Sequence, residues 1–421
     1  MINYTQALER LLAQIGPLPR ENCVLGDAVG RVLAKAVTSS IALPSFDHAA
    51  MDGYALNAAT PWAAGSEHAI YGSHAAGDAL HEASQHEVGQ GACEIMTGAS
   101  LPEGLDAVIA VERTECLATG PTGMPTRIRL RDALRAGDNV RYAGSDVAPG
   151  AQVLAAGTRI GSAQIMLLAA LGVATVPVVT RPRVAVICTG KELQSDPTHP
   201  LGAERIHNSN GPYLVAALGA ANARVLACEA VDDTAVTYAG ALQRAIEAGA
   251  DLVVSTGAVS MGRYDFVPDT LRRFHAQLLF HKVAIRPGKP LLAARLANGP
   301  LVVALPGTPM AVAAGLRFIV MPALREMSGQ SGEPAMHALL DTPQQPKAGL
   351  RHFLRASLYQ HSDGQMHVTV TEQQQPFRIR PFADADVWVV LPEDAGDCPA
   401  GTRVQVVGVE PGESPRLRVV H

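Results

Sequence analysis

Glycines and carboxylates follow three apolar, strand-like runs of this chain. The first run ends in Thr189-Gly190-Lys191-Glu192, the second in Asp232-Asp233, and the third leads through Gly257 and Ser260 to Asp265. Because ligands of an open parallel sheet bind outside the carboxyl ends of its strands, we expect these residues to lie near one another. Glycines let a backbone approach a phosphate, whereas carboxylates repel it unless a divalent cation lies between them. The combination predicts a magnesium-bridged anionic ligand.

The stretch GAVSMGRYD, residues 257 to 265, comes close to the P-loop pattern G-x-x-x-x-G-K-[ST]. Arg263 stands where that pattern needs Lys, and Tyr264 where it needs Ser or Thr. We interpret the two glycines as a turn at the end of the third strand that lets Ser260 and the backbone approach an anion. An ordinary turn is the alternative.

A cationic segment, HKVAIRPGKP, follows. On a strand that rises about 3.3 Å per residue with alternating faces, Lys282 and Arg286 share one side, roughly 13 Å apart. A Pro-Gly turn then returns Lys289 toward Arg286. Three close cations suit an oxyanion or a polyphosphate. The loop LPGTPMA, with Pro306 and Pro309, is predicted to be a rigid wall of the same site.

Each feature also has a purely structural explanation. A Thr-Gly pair after a strand is often a plain turn, Asp232-Asp233 before a helix is typical of an N-cap, and Asp52-Gly53 is a common hairpin turn. The six cysteines lack a C-x-x-C pair, so we interpret them as small buried hydrophobic residues. In HEASQH the histidines His81 and His86 are five apart, off a shared helix face, so no zinc site is predicted.

Composition excludes several classes of protein. Hydrophobic residues make up 48% and charged residues 17% of the 421, which is typical of well-packed domains. The net charge is 34 − 39 = −5, which argues against a general nucleic-acid binder. The N-terminal MINYTQALERLLAQIG predicts an amphipathic docking helix rather than a signal peptide, and we see no membrane-spanning run. We therefore expect a cytoplasmic protein that binds neither nucleic acid nor membrane.

The elements that must position the polar residues form an α/β unit. From Arg183 onward, predicted strands and helices alternate up to the long helix PMAVAAGLRFIVMPALREM, which favours a largely parallel sheet. Short strands and Gly/Pro-rich turns predict a mostly β region before it and a small all-β module after it. The apolar helix SAQIMLLAALG resembles a return to the N-terminal layer, so the first β region is predicted to be an insertion. The expected domains are 1–40 with 150–180 (discontinuous, N-terminal), 41–149 (inserted, mostly β), 181–330 (α/β) and 331–421 (C-terminal, all-β).

Seven segments carry a family resemblance. In chain order they are PSFDHAAMDGYAL, EIMTGASLPEGLDAVIAVERTE, NVRYAGSDV, VAVICTGKEL, GAVSMGRYDF, KVAIRPGKP and LPGTP. Together they resemble the MoeA-type molybdopterin molybdenumtransferases, which are related to the E domain of gephyrin. These seven segments lie in the expected domains 41–149 and 181–330.

The resemblance implies a multidomain α/β plus β fold. Its parts are a central MoaB/MogA-like, molybdopterin-binding α/β domain (181–330) with a largely parallel sheet, an inserted mostly-β domain, a discontinuous N-terminal helical and linker domain, and a C-terminal small β-barrel-like domain. It implies a homodimer that inserts molybdate into adenylated molybdopterin and releases AMP, with Mg²⁺ as the cofactor. The small-molecule substrates are the implied partners, with the molybdopterin adenylyltransferase and molybdoenzyme chaperones as further candidates.

The resemblance also implies roles for residues at matching positions. From the inserted domain, Asp52, Thr97, Arg141 and Asp146 are expected to line the active cleft. Magnesium ligands are expected to be Glu192, Asp232 and Asp265. The cations around molybdate and the pyrophosphate link are expected to be Lys282, Arg286, Lys289 and Arg355. The expected catalytic set is Asp52, Asp146, Asp232, Asp265, Lys282 and Arg286, and the expected substrate-binding set is Thr97, Arg141, Gly190, Glu192, Gly257, Ser260, Lys289, Pro306, Pro309 and Arg355.

The chain departs from the family pattern at the expected oxyanion site. Thr308 replaces the family's Asn, Ala311 replaces a Ser, and QQQPFRIRPFADAD stands where a Gly/Ser-rich segment is usual. Two lost hydroxyl donors would weaken anion binding by about 1 kcal/mol each unless water substitutes, and Thr308, Arg378 or Arg380 are candidates to compensate. A non-catalytic pterin-binding or scaffold paralogue, or a variant that prefers tungstate, stays an alternative.

Overall fold

The computed structural model describes residues 1–78, 91–260, 266–362, 364–410 and 414–419. The chain forms two compact units, one of Met1–Lys35, Ala156–Gly161 and Thr175–His421, the other of Ala36–Ala155 and Ser162–Ala174. Among the described residues, no helix has the length and apolar character that a membrane span requires. The α-helices are α1 (Tyr4–Leu12), α2 (Ser162–Ala170), α3 (Asn210–Ala220), α4 (Ala235–Glu247), α5 (Val267–Arg273), α6 (Pro309–Gly315), α7 (Met321–Met327) and α8 (Arg380–Ala383), with a π-helical segment (Leu316–Val320) between α6 and α7 and 3₁₀ turns at Leu25–Asp27 and Val111–Arg113.

The first helix begins at a capping box. The Asn3 side chain accepts the Gln6 N–H, and the Gln6 side chain accepts the Asn3 N–H, so two otherwise unpaired donors are satisfied. Ala7 and Leu11 are fully buried in a core shared with the α/β sheet, which makes α1 the predicted docking helix. Strand β1 (Arg20–Val24) then pairs antiparallel with residues 175–179.

The unit that contains residues 36–155 is mostly β, as predicted. Six strands form a mixed sheet in the order β7-β4-β6-β5-β9-β8, in which β5 and β6 are the parallel pair. Helix α2 groups with this unit, and the four-domain division stays a prediction. The strands are β2 (Val37–Thr38), β3 (His48–Ala49), β4 (Gly53–Leu56), β5 (Glu67–His74), β6 (Gly91–Ile95), β7 (Ala107–Ala110), β8 (Thr114–Thr119), β9 (Pro125–Leu130), β10 (Val140–Arg141) and β11 (Gln152–Leu154).

The largely parallel sheet is confirmed in the larger unit. Its order is β16-β13-β17-β21-β20-β18, in which the first four strands run parallel, β20 pairs antiparallel with β21, and β18 pairs antiparallel with β20. Its strands and their flanking pairs are β12 (Thr175–Val179), β13 (Arg183–Thr189), β14 (Leu193–Gln194), β15 (Ile206–His207), β16 (Arg224–Val231), β17 (Leu252–Thr256), β18 (Gln277–His281), β20 (Leu292–Arg295) and β21 (Leu301–Leu305).

Strand β13 is buried on both faces of this sheet. Val184, Val186 and Cys188 lie in the core of one face, while Ala185 and Ile187 lie in the core of the other. Successive side chains of a strand point to opposite faces, so a strand covered on both sides needs an unbroken apolar run. This explains the sequence VAVIC at the centre of the unit.

The C-terminal strands close into a barrel, as predicted. Strand β23 pairs with both β24 and β25, so β23-β24-β22-β26-β25 forms a ring. Strand β19 adds to β23 in parallel from outside the ring. These strands are β19 (Ile285–Arg286), β22 (Met336–Leu340), β23 (Arg351–Gln360), β24 (Met366–Val370), β25 (Val387–Leu391), β26 (Arg403–Gly408) and β27 (Arg418–Val419).

Three local predictions were wrong. Gly53 begins β4, which lies between β6 and β7, so Asp52-Gly53 is not a hairpin turn. The N-cap of α4 is Thr234, whose hydroxyl accepts the Thr237 N–H, rather than an aspartate. Cys116 and Cys228 are exposed because β8 and β16 are edge strands of their sheets. The spacing in HEASQH lies outside the described residues.

Close packing of β4 against β7 predicts a severe effect of Gly53→Ala. A Cβ atom at position 53 would lie 1.9 Å from the Ile109 carbonyl oxygen, so the strands must move apart. We expect the free energy of unfolding to fall by about 3 kcal/mol in urea denaturation followed by circular dichroism. Gly72→Ala in the same sheet meets nothing within 4 Å and should change it by less than about 0.5 kcal/mol. Equal midpoints for the two variants would contradict this packing account.

Candidate functional site

The loops at the carboxyl edge of the parallel sheet are tied together by backbone hydrogen bonds. The Gly190 N–H donates to the Val231 carbonyl at 3.0 Å and so joins the loops after β13 and β16. The Gly257 N–H donates to the Leu305 carbonyl at 3.0 Å and joins the ends of β17 and β21. The convergence that the sequence predicted for these strand ends is therefore present.

Gly257 is required where two of these loops touch. Its φ is +90°, and a Cβ atom there would lie 2.4 Å from Thr189 Oγ1. The Thr189 hydroxyl donates to the Thr256 carbonyl at 3.1 Å, so it cannot turn away without losing that bond. On its other side Gly257 approaches Gly307, where a Cβ would lie 3.6 Å from the Gly257 Cα. The turn glycine of GAVSMGRYD thus serves loop packing at this edge, and Ser260 beyond it is exposed.

Two of the three predicted metal ligands lie on these neighbouring loops. Glu192 is half-buried, and its carboxylate lies so close to Gly190 that a Cβ there would be 2.7 Å from Glu192 Oε1. Asp232 is exposed, and its carbonyl accepts the Thr234 N–H. Neither carboxylate has a cationic partner within the part of the chain that the structure describes. Asp265 lies outside the described residues. Uncompensated oxygen donors on adjacent loops fit a hard cation such as Mg²⁺.

A cavity of about 710 Å³ lies beside this edge, between the loop after β21 and the barrel. Arg286 and Lys289 both line it and are exposed. The turn between them is tight, since Gly288 has φ +107° and its carbonyl accepts the Leu291 N–H at 3.0 Å. Within the described ranges neither cation has an acidic ion-pair partner, so two unneutralised donors face the cavity.

His352 is a residue of the cavity wall that sequence reasoning missed. It lies opposite Arg286 in the parallel pairing of β19 with β23. Burial lowers the pKa of its imidazole, and the nearby Arg286 cation lowers it further. Its Nε2 accepts the Lys347 N–H at 3.1 Å. No sequence motif marks this histidine, because its position depends on a pairing between distant strands.

Arg355 occupies a different place from the one predicted. It is only 1% exposed and does not line the cavity. Its guanidinium donates to the carbonyls of Gln373 and Arg378, at 2.5 and 2.6 Å, and to Gln374 Oε1 at 3.4 Å. Because its donors are used by one backbone segment, Arg355 positions residues 373–378 instead of joining the exposed cations. Residues 374–376 of that segment line the cavity.

Lys282 also departs from prediction. Strand β18 ends at His281, and Lys282 has φ +70°, so no continuous strand carries Lys282 and Arg286 on one side. Lys282 is half-buried, its N–H donates to the Leu291 carbonyl, its carbonyl accepts the Ile2 N–H, and it does not line the cavity. The left-handed residue turns the chain out of the α/β sheet, which lets β19 join the barrel.

Residues at the helix that follows β21 bear on the anion site. Pro306, Thr308 and Ala311 line the cavity, and Pro309 is the first residue of α6. The Thr308 side chain makes no cap hydrogen bond. The Met310 N–H donates to a carbonyl of the cavity-lining 374–376 segment, at Pro376. The helix therefore offers the cavity fewer free N–H groups than an open N-terminus would.

Three of the predicted residues of the smaller unit lie on loops, and the fourth, Arg141, lies in a short strand. Asp52 Oδ1 accepts the Thr97 N–H at 2.7 Å and the Thr97 hydroxyl at 2.8 Å. These two hydrogen bonds, the backbone one first, lower the pKa of the exposed Asp52 carboxyl. Arg141 is exposed in β10, which pairs with β3, and Asp146 is exposed on the following loop. Asp52 and Thr97 are thus a preformed pair, with Asp52 as an ionised acceptor.

Comparisons with known proteins cover the whole architecture. Family models match residues 2–172 ("MoeA N-terminal region (domain I and II)"), 185–326 ("Probable molybdopterin binding domain") and 337–409 ("MoeA C-terminal region (domain IV)"). The molybdopterin molybdenumtransferase of Synechococcus elongatus is 34% identical over 415 residues, which is 96% of this chain and 99% of that protein. This chain belongs to the molybdopterin molybdenumtransferase family.

Other members of the family agree with this assignment. The Bacillus subtilis protein of the same name is 31% identical over 91% of this chain and 88% of its own length. The crystal structure of the molybdopterin biosynthesis MoeA protein from Pyrococcus horikoshii matches with a TM-score of 0.80 and 26% identity, over 96% of this chain and 99% of that one. The family resemblance and the fold class read from the sequence are confirmed.

The buried contacts of Arg355 predict a measurable effect of Arg355→Lys. A single ammonium cannot reach the same three acceptors, so buried carbonyls lose their donor and the free energy of unfolding should fall by about 3 kcal/mol. Hydrogen–deuterium exchange of residues 373–378 should also increase. The control is Arg380→Lys, at an exposed side chain just beyond this segment, which should change neither the stability nor the exchange. Unchanged exchange in Arg355→Lys would show that the segment is held by other contacts.

Proposed function

We propose that this chain inserts molybdate into adenylated molybdopterin, with release of AMP, and that the reaction depends on Mg²⁺. Family membership supports the transfer of molybdenum to molybdopterin. One contact supports the proposal that Mg²⁺ and the oxyanion act at a single site. The loop after β21 has Gly307 against Gly257 of the sheet edge, while its Pro306 and Thr308 line the cavity. The loop after β21 therefore lies between the sheet edge that carries Glu192 and Asp232 and the cavity that is lined by Arg286 and Lys289.

The two sides of that wall have complementary chemistry. Glu192 and Asp232 supply carboxylate oxygens that would hold Mg²⁺, which when bound neutralises and polarises a phosphoanhydride. Arg286 presents a planar fork of N–H donors and Lys289 an ammonium, and both suit the oxygens of a tetrahedral oxyanion such as molybdate. The neutral His352 beside Arg286 adds no further charge to the cavity.

Residues outside the cavity lining are also part of the proposal. Asp52 is proposed to act on the same substrates, with its carboxylate held by Thr97. The same is proposed for Arg141 and Asp146. Asp265 and Ser260 keep their proposed roles near the ligand. The catalytic role expected of Lys282 stays a prediction, to be served from outside the cavity lining. We further propose a cytoplasmic homodimer that receives its pterin from the adenylyltransferase.

The test is AMP release by the full chain from adenylated molybdopterin with Mg²⁺, with and without molybdate. Wild type should release AMP when molybdate is added, and Asp232→Asn should reduce the rate by about 100-fold because a carboxylate charge at the metal is lost. Glu247→Gln is the control, since it removes the same charge from an exposed residue at the end of α4 and should match wild type.

Two results would count against the proposal. Absence of molybdate-dependent AMP from wild type would leave a binding or scaffold role for the family fold. Equal rates of AMP release for Asp232→Asn and Glu247→Gln would show that the reaction does not depend on the Asp232 carboxylate at the sheet edge.

A further inference from the structure

A cluster of metal-ligating side chains lies in the barrel, away from the residues that line the cavity. It consists of Asp341 after β22, His361 after β23 and His367 in β24. One potential ligand atom from each lies within 4.8 Å of the others. The three side chains are half-buried, and none has a role in the reaction proposed above.

The barrel backbone brings these residues together. His367 pairs with Leu339 in the parallel ladder of β22 and β24, and the Asp341 N–H donates to the Val368 carbonyl at 3.0 Å. The His361 N–H donates to the Gln365 carbonyl at 3.0 Å, at the hairpin between β23 and β24. Main-chain hydrogen bonds therefore set the relative positions of all three Cα atoms.

Side-chain contacts then orient the polar atoms. Asp341 Oδ1 lies 2.9 Å from His367 Nδ1, and Asp341 Oδ2 accepts the Thr369 hydroxyl. The His361 and His367 rings stack, with centroids 3.9 Å apart and an interplanar angle of 19°. An ion bound by both Asp341 Oδ1 and His367 Nδ1 takes the place of the hydrogen between these two atoms, and the imidazole then carries its proton on Nε2.

We propose that Asp341, His361 and His367 bind a divalent transition-metal ion of the zinc type. Two imidazoles and one carboxylate are typical ligands of Zn²⁺, Ni²⁺ and Co²⁺, whereas Mg²⁺ and Ca²⁺ prefer oxygen ligands alone. Zinc bonds of about 2.0 to 2.1 Å place tetrahedral donors about 3.4 Å apart, so binding needs side-chain shifts of roughly 1 Å and a turn of the stacked rings. A water completes the fourth position. The ion would clip the β23–β24 hairpin to the end of β22.

The experiment titrates the untagged full chain, stripped with chelator and dialysed, with Co²⁺ and then Zn²⁺ in excess Mg²⁺. Magnesium occupies oxygen-only sites and so isolates the histidine cluster. Wild type should give the visible absorption of four-coordinate Co²⁺, which Zn²⁺ abolishes, and Zn²⁺ should raise its Tm. His361→Ala, His367→Ala and Asp341→Asn should each weaken binding at least tenfold and remove the Tm shift.

His337→Ala is the matched control, because His337 is an exposed histidine of the same barrel, in β22. It should bind both ions as wild type does. Metal-free circular dichroism shows whether each variant folds, and His361→Gln replaces His361→Ala if the latter does not. Wild type that binds no Zn²⁺ at micromolar concentration, or cluster variants that bind it like His337→Ala, would overturn the proposal and leave a hydrogen-bonded surface cluster.

Discussion

The parallel pairing of β19 with β23 is the interaction on which the candidate site depends. The chain leaves the α/β sheet at His281, turns at the left-handed Lys282, and places Ile285 and Arg286 alongside the barrel. This pairing gives the cavity its two walls, one from the α/β region and one from the barrel. It also sets Arg286 opposite His352, so that a cation and a neutral imidazole share the cavity surface.

A second constraint is that the buried Arg355 guanidinium must have its hydrogen-bond donors satisfied. Moving a guanidinium out of water is costly unless its donors are satisfied, and Arg355 satisfies them with the backbone of residues 373–378. The same segment accepts the Met310 N–H at Pro376. The segment is thereby held against the cavity. Arg286, Lys289 and Thr308 line the same cavity, so their side chains are the donors that we propose for the anion.

Much of this could be predicted from the sequence, for identifiable reasons. The apolar run of β13 requires a strand covered on both faces, and the alternation of exposed and buried side chains in β26 is that of a half-buried strand. Strand ends then locate Gly190, Glu192 and Asp232 by topology alone. These elements depend on local patterns, which a sequence displays directly.

What could not be predicted depends on contacts between distant residues. A positive φ at Lys282 is invisible in a sequence because lysine rarely adopts it, and straight-strand geometry therefore misplaced that side chain. Arg355 matches a family position, yet its partners lie 18 to 23 residues further on. Cavity residues such as His352 follow from strand pairing, which no local pattern encodes.

We propose that the oxyanion binds in the cavity at Arg286 and Lys289. The most direct measurement of this binding is the anomalous scattering of crystals of the full chain soaked in tungstate, which has the shape and charge of molybdate. We expect a heavy-atom peak within hydrogen-bonding reach of the Arg286 guanidinium and the Lys289 ammonium. A well-occupied peak elsewhere in the molecule, with none in this cavity, would contradict it.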